Sequence, residues 1–319
     1  MRIVMLGAGA LGSIIGGHLA RSGAEVVVLA RGQRAAHVQQ HGITLTGLVD
    51  FTVPVRVTTQ PRDVQDADVL IVTVKTYDTD AALASVQHLR VDSVLSIQNG
   101  VQKDEQLARI FGAEKTLGAA VVLSGEVTPA GPVRFTLNEY FAIGELPEGT
   151  SPRIHRLVDT LSRAGIRAEA AAQIRTVEWS KYGFFMSWMA PAVLTRLETH
   201  KFLSHPDTAV IVAQLLRETG QLAAAQGIAL EDRGPLPANT LCRVSLEEAV
   251  HIICRAGENM ATQAPAHKIS TLQDLERGRR LEFEGTMGYA VRRGRELGVP
   301  LPTMETCYQL IAAVNQSLS

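Results

Sequence analysis

Cysteine is scarce in this chain, with three in 319 residues, Cys242, Cys254 and Cys307, odd in number and unclustered. That excludes a disulfide framework and a thiolate zinc site, and it suits a reducing compartment. An excess of either charge is also lacking, since 31 Lys and Arg against 32 Asp and Glu leave a net charge of −1. Such a chain offers no field to a nucleic-acid backbone or an anionic membrane, so any phosphate it binds must be met by local charge. No apolar run reaches the ~20 residues needed to cross a bilayer. Arg2 ahead of an apolar stretch imitates a secretory signal, but a strand, turn and helix explain the same residues and the glycine spacing besides. A cytoplasmic protein with no membrane partner is expected. His37 and His41 are four apart but have no acidic or thiol neighbours, so no metal site is expected.

What is present begins at once. Residues 2–6 are mostly apolar without alternation, as in a parallel strand covered on both faces. The stretch Gly7-Ala8-Gly9-Ala10-Leu11-Gly12 follows and satisfies G-x-G-x-x-G, with a helix after it and a second apolar strand at residues 25–30. In that context the first glycine permits the tight turn, the second admits the pyrophosphate, and the third lets helix and strand pack closely. The free N–H groups and positive dipole end of the helix face the phosphates. An NAD site carries an acidic residue at the end of the second strand, where this chain has Ala30-Arg31-Gly32-Gln33-Arg34. The guanidinium groups of Arg31 and Arg34 suit a 2′-phosphate, which makes NADP(H) the expected cofactor; the alternative for Arg34 is a solvated loop charge.

Further along, a helix over 35–40 ends at Gly42, and strands at 43–45 and 51–57 read as a hairpin or excursion. A buried strand at 69–74 runs into Lys75, and a strand at 93–97 runs into Gln98-Asn99-Gly100-Val101, both at carboxyl ends where ligands of such sheets bind. Strands are expected at 116–123, 133–137, 140–143 and 167–169, with a Pro-started helix at 152–164. From residue 171 onward the periodicity is helical. The fold class is therefore α/β, a Rossmann-type doubly wound sheet in a domain of residues 1–170, followed by an all-helical domain of residues 171–319. The apolar stretch 182–194 suits a helix core and, in part, a cleft wall or a homodimer contact.

Five motifs in order, GAGALG, VKTYD, QNGV, EWSK and STLQDLERGRRLEFEGTMG, resemble the ketopantoate reductase (2-dehydropantoate 2-reductase) family over nearly the whole chain. The resemblance implies a cleft between the two domains and NADPH-dependent reduction of a small-molecule 2-oxo acid to a 2-hydroxy acid, as in pantothenate biosynthesis. It implies that Arg31 meets the 2′-phosphate and that Lys75 and Asn99 sit beside the nicotinamide and the substrate. Lys181 would be the general acid, Ser270 would hold substrate, and Glu282 would complete the catalytic site. The chemistry supplies a reason: hydride reaching a ketone carbon leaves negative charge on oxygen, which an ammonium can stabilise and then protonate. Most of these residues also have an ordinary reading: Ser270 as a helix N-cap with Gln273 in a capping box, Arg31, Lys75 and Lys181 as solvated surface charges, and Glu282 in a solvated salt bridge.

Phe185 and Met189 stand where that family carries asparagines four and eight residues after the lysine. On this ground a more apolar 2-oxo acid is the alternative substrate, and a catalytically inactive NADPH sensor is the alternative role. Other reductase families fit less well. No tyrosine is followed four residues later by lysine, as short-chain dehydrogenases require, and Phe185 also breaks the pattern of β-hydroxyacid dehydrogenases.

Overall fold

The computed structural model describes Met1–Leu318, in which two compact units separate: Met1–Gln98 with Lys103–Arg175, and Asn99–Gln102 with Thr176 onward. In the first unit the strands are β1 (Arg2–Leu6), β2 (Glu25–Leu29), β3 (Ile43–Gly47), β4 (Phe51–Val53), β5 (Arg56–Thr58), β6 (Asp66–Val72), β7 (Arg90–Ser96), β8 (Leu117–Val127), β9 (Val133–Glu145) and β10 (Ala168–Ala170). Its helices are α1 (Ala10–Arg21), α2 (Gly32–His41), α3 (Thr79–Val86), α4 (Lys103–Phe111) and α5 (Pro152–Arg163). Five parallel strands in the order β5-β2-β1-β6-β7 form one sheet.

The apolar run of β1 has a direct cause in this sheet. Ile3 and Met5 join a core with α1 and α5, while Val4 and Leu6 join a second core with α3 and α4 on the opposite face. A strand buried on both faces must be apolar at both parities. Both β6 and β7 start earlier than their apolar runs suggest, because the first residues of each alternate exposed and buried before full burial begins.

A second sheet accompanies the first, ordered β10-β9-β3-β4 with β8 antiparallel to β9. The strand expected over 51–57 is divided there. Pro54, which has no N–H to donate to a ladder, parts β4 from β5; β4 turns back on β3, and β5 joins the parallel sheet beside β2. The two strands expected at 133–137 and 140–143 are one 13-residue strand, with register shifts against β8 between Val122 and Leu123 and between Ser124 and Gly125. α2 begins at Gly32, three residues before its expected start.

The second unit is helical: α6 (Ile174–Thr195, which starts in the first unit), α7 (Thr199–Ser204), α8 (Pro206–Ala224), α9 (Ala238–Arg243), α10 (Leu246–Gln263), α11 (Ser270–Glu276), α12 (Tyr289–Leu297) and α13 (Pro302–Gln316). A single π-helical turn, Glu284–Gly288, leads into α12. α6 is mostly apolar and has no polar face, the pattern of a buried helix, although it carries Glu178, Ser180 and Ser187 as buried polar residues. Across residues 177–193 every residue is buried except Lys181. At the start of α13 the Glu218 carboxylate, reaching from α8, accepts from the backbone N–H groups of Thr303 and Met304, both at 2.8 Å. No helix among the described residues is long and apolar enough to cross a membrane.

Candidate functional site

The site residues of the sheet unit collect at the carboxyl ends of β1, β2 and β6. Gly7 takes φ +121°, a left-handed value that favours glycine, and its N–H donates to Leu29 O at 2.9 Å. Gly9 is the N-cap of α1, in extended conformation, and no acidic residue lies in the first turn of that helix. A Cβ placed on Gly12 would run into the Gly7 carbonyl and come within 2.6 Å of Thr73 Oγ1, whereas one on Gly9 would meet nothing within 4 Å. Turn and helix are therefore pressed together at the third glycine and open at the second, as a phosphate-binding turn requires. Ala8, Ala10 and Leu11 complete the turn without charge. Thr73, overlooked in the sequence, donates to Leu6 O at 3.1 Å and Gly7 O at 3.0 Å and ties the turn to the end of β6.

The two arginines part company. Arg31, at the N-cap of α2, has a side chain 72% exposed and 3.8 Å from the Asp78 carboxylate. Arg34 is engaged with protein groups through Nε to Ala8 O, Nη1 to Gly131 O and Nη2 to Ser13 Oγ, which corrects its reading as a solvated loop charge. Lys75 caps a short 3₁₀ turn, Thr76–Asp78, and is half-buried. Gln98, buried, donates to Val74 O and Thr79 Oγ1, both at 2.7 Å, and so joins the ends of β6 and β7. A nicotinamide dinucleotide fits these residues: the helix N-terminus is uncharged, its second glycine is open, and the end of β2 carries a cation where an acidic residue would receive a free ribose.

In the helical unit one bond brings two of the expected residues together. Lys181 Nζ donates to Asn99 Oδ1 at 3.1 Å, with Asn99 in the loop that clusters with this unit rather than with β7. The loop turns at Gly100, φ +104°, where a Cβ would stand 3.0 Å from Gly285 O in the π turn. One residue past the lysine, Tyr182 Oη donates to Thr286 O at 2.9 Å; burial raises the pKa of this phenol far above its ordinary value, so it stays a donor. The Thr286 hydroxyl donates to Glu282 O at 2.5 Å and also reaches Met189 Sδ at 3.9 Å. Glu282 precedes the π turn and is 7% exposed, an unusual place for a carboxylate. Ser270 is half-buried and forms the first residue of α11 rather than its cap, which is Ile269. The capping-box alternative therefore fails, and Gln273 Nε2 donates instead to Lys268 O at 2.8 Å. Phe185 and Met189 are core residues of α6.

A glycine turn open at its second position on a parallel sheet, in one chain with a helical unit whose half-buried lysine is held by an asparagine, is the pattern of a nicotinamide-dependent oxidoreductase. The model described as "Ketopantoate reductase PanE/ApbA" matches residues 3–148, and its C-terminal counterpart matches residues 173–315. The chain belongs to the ketopantoate reductase family. It is similar to the 2-dehydropantoate 2-reductase of Archaeoglobus fulgidus, 27% identical over 317 residues and covering 99% of each chain. It is likewise similar to that of Pyrococcus abyssi, 28% identical over 95% of this chain and 94% of the relative. Among solved structures, a PanE/ApbA family ketopantoate reductase from Ralstonia eutropha JMP134 superposes with a TM-score of 0.83 at 27% identity, covering 100% of this chain and 99% of the other. D-mandelate dehydrogenase with NADH and anilino(oxo)acetate shares the fold, with a TM-score of 0.86 at 20% identity and the same coverage.

Proposed function

We propose that this protein reduces ketopantoate, a 2-oxo acid, to the 2-hydroxy acid pantoate, with NADPH as reductant. The observation that carries the reading is Lys181: the one residue not buried in a long buried stretch of helix is an ammonium, and its direction is set by the bond to Asn99. NADPH, when bound, supplies a hydride to the carbonyl carbon. The Lys181 ammonium stabilises the charge growing on the carbonyl oxygen and then delivers the proton that completes the hydroxyl. Asn99 keeps the ammonium aimed and also serves the nicotinamide end of the cofactor with Lys75. Glu282 orients the lysine or a substrate hydroxyl, and Ser270 holds the substrate. Arg31 pairs with the 2′-phosphate through charge-assisted bonds, which selects NADPH over NADH.

The decisive experiment is Lys181→Ala assayed by NADPH oxidation with ketopantoate. Turnover is expected to fall by about 10²–10⁴-fold, the usual worth of a positioned general acid, while NADPH affinity stays at its wild-type value. A variant that turns over like wild type removes the lysine from the chemistry, and a wild-type protein that binds NADPH but reduces no 2-oxo acid overturns the reductase reading.

A further inference from the structure

Arg34 lies in α2, close to the end of β2, where a 2′-phosphate would also be met. Its guanidinium nevertheless points back into its own unit and engages three groups with its three nitrogens: Nε donates to Ala8 O at 2.8 Å, Nη1 to Gly131 O at 2.6 Å and Nη2 to Ser13 Oγ at 2.9 Å. The Ser13 hydroxyl in turn donates to the same Ala8 oxygen at 3.1 Å. Thus the carbonyl between the first two glycines of the fingerprint receives two side-chain bonds, and one cation links the turn, the first helix and the loop joining β8 to β9.

A peptide unit is planar and trans, so the Ala8 carbonyl and the Gly9 N–H point in opposite directions. Holding the oxygen toward Arg34 turns the Gly9 N–H the other way, and that N–H caps a helix whose first donors have no partner within it. Gly9 is also the position at which an added Cβ would meet open space. We propose that Arg34 is a positioning residue for the dinucleotide pyrophosphate, setting the Ala8–Gly9 peptide, and that it does not read the 2′-phosphate. The proposal rests on the dinucleotide reading of the glycine turn. It assigns the two arginines, three residues apart, to different parts of the cofactor: Arg31 to the feature that distinguishes NADPH from NADH, Arg34 to the pyrophosphate they share.

The test is coenzyme titration by fluorescence, with NADPH and NADH in parallel, on wild type, Arg34→Gln, Arg34→Lys, Ser13→Ala and Arg31→Ala. Arg34→Gln is expected to weaken both coenzymes by the same factor, about tenfold or more, as befits lost bonds from a charged donor. KM for either coenzyme rises by that factor, with kcat at saturation retained. Arg34→Lys keeps the charge but replaces three nitrogens by one, so it does not restore affinity. Ser13→Ala, which leaves the arginine in place, shows the same equal weakening at smaller size and serves should Arg34→Gln not fold. Arg31→Ala weakens NADPH alone. Loss confined to NADPH in the Arg34 variants, full rescue by lysine, or a thermal destabilisation with both affinities unchanged overturns the proposal. A wild-type protein that binds neither coenzyme instead overturns the dinucleotide reading on which it stands.

Discussion

The second and third glycines of the turn are expected to fail in different ways when given a methyl group, and the difference separates folding from binding. At Gly12 the new Cβ would run into the Gly7 carbonyl, a backbone atom held by its own turn, and would lie 2.6 Å from Thr73 Oγ1. Relief requires α1 to move off the end of β1, and overpacking of this kind costs about 1–3 kcal/mol. For a unit of the size of Met1–Gln98 with Lys103–Arg175, the cost lowers its thermal transition by about 2–12 °C. At Gly9 the backbone is already at φ −66° and ψ −168°, which alanine adopts freely, and nothing lies within 4 Å. There the loss of a glycine N-cap and the gain from a stiffer unfolded chain nearly cancel, so stability stays within about 1 kcal/mol of wild type. Yet the methyl occupies the approach of the pyrophosphate, and NADPH affinity is expected to drop at least about tenfold, the equivalent of ~1.4 kcal/mol. Differential scanning calorimetry of the apo-proteins and NADPH titration read the two quantities independently. Gly9→Ala with wild-type affinity, or Gly12→Ala with a wild-type melting temperature, refutes the assignment of room to the second glycine and of contact to the third.

Two further outcomes follow from buried polar groups. His18 lies edge-on to Phe51 and Phe135 with Nδ1 2.7 Å from Ala164 O, and burial, helped by Arg21, lowers its pKa from 6.5 despite the bond to Ala164. The unfolded chain therefore binds a proton that the folded one refuses, so this contribution to stability is complete above about pH 6.5 and is lost as pH falls from there toward the lowered value. The melting temperature should decline from about pH 7 to pH 5, and His18→Gln should flatten that decline; an unchanged slope refutes it. Burial lowers His267 as well, so some slope persists in the variant. Glu218→Ala removes the acceptor of two backbone N–H groups at the start of α13 and should cost about 2 kcal/mol or more, measured by urea unfolding, with Glu218→Gln costing less. Glu218→Gln as stable as wild type, with the loss confined to Glu218→Ala, would show that packing, not the paired acceptor, is what the side chain supplies.

Patterns that depend on neighbours in the chain were legible without coordinates. The apolar run of β1, the glycine spacing, the Pro-started helix after Ser151 and the change to helical periodicity near residue 171 each follow from local sterics and local burial, so residue order alone determined the class of fold. The family motifs marked Lys181 and Asn99 as well, although their places in the sequence are 82 apart. What residue order could not decide was where a side chain of long reach ends. Arg31 and Arg34 look alike in a row of letters; only the folded chain shows one guanidinium in solvent and the other spent on Ala8, Ser13 and Gly131. In the same way Thr73 lies outside every motif, yet it ties the glycine turn of the candidate site to the end of β6. The physical reason is common to all of them: secondary structure is written in contacts a few residues apart, while hydrogen-bond partners are chosen among groups that become neighbours only when distant segments pack.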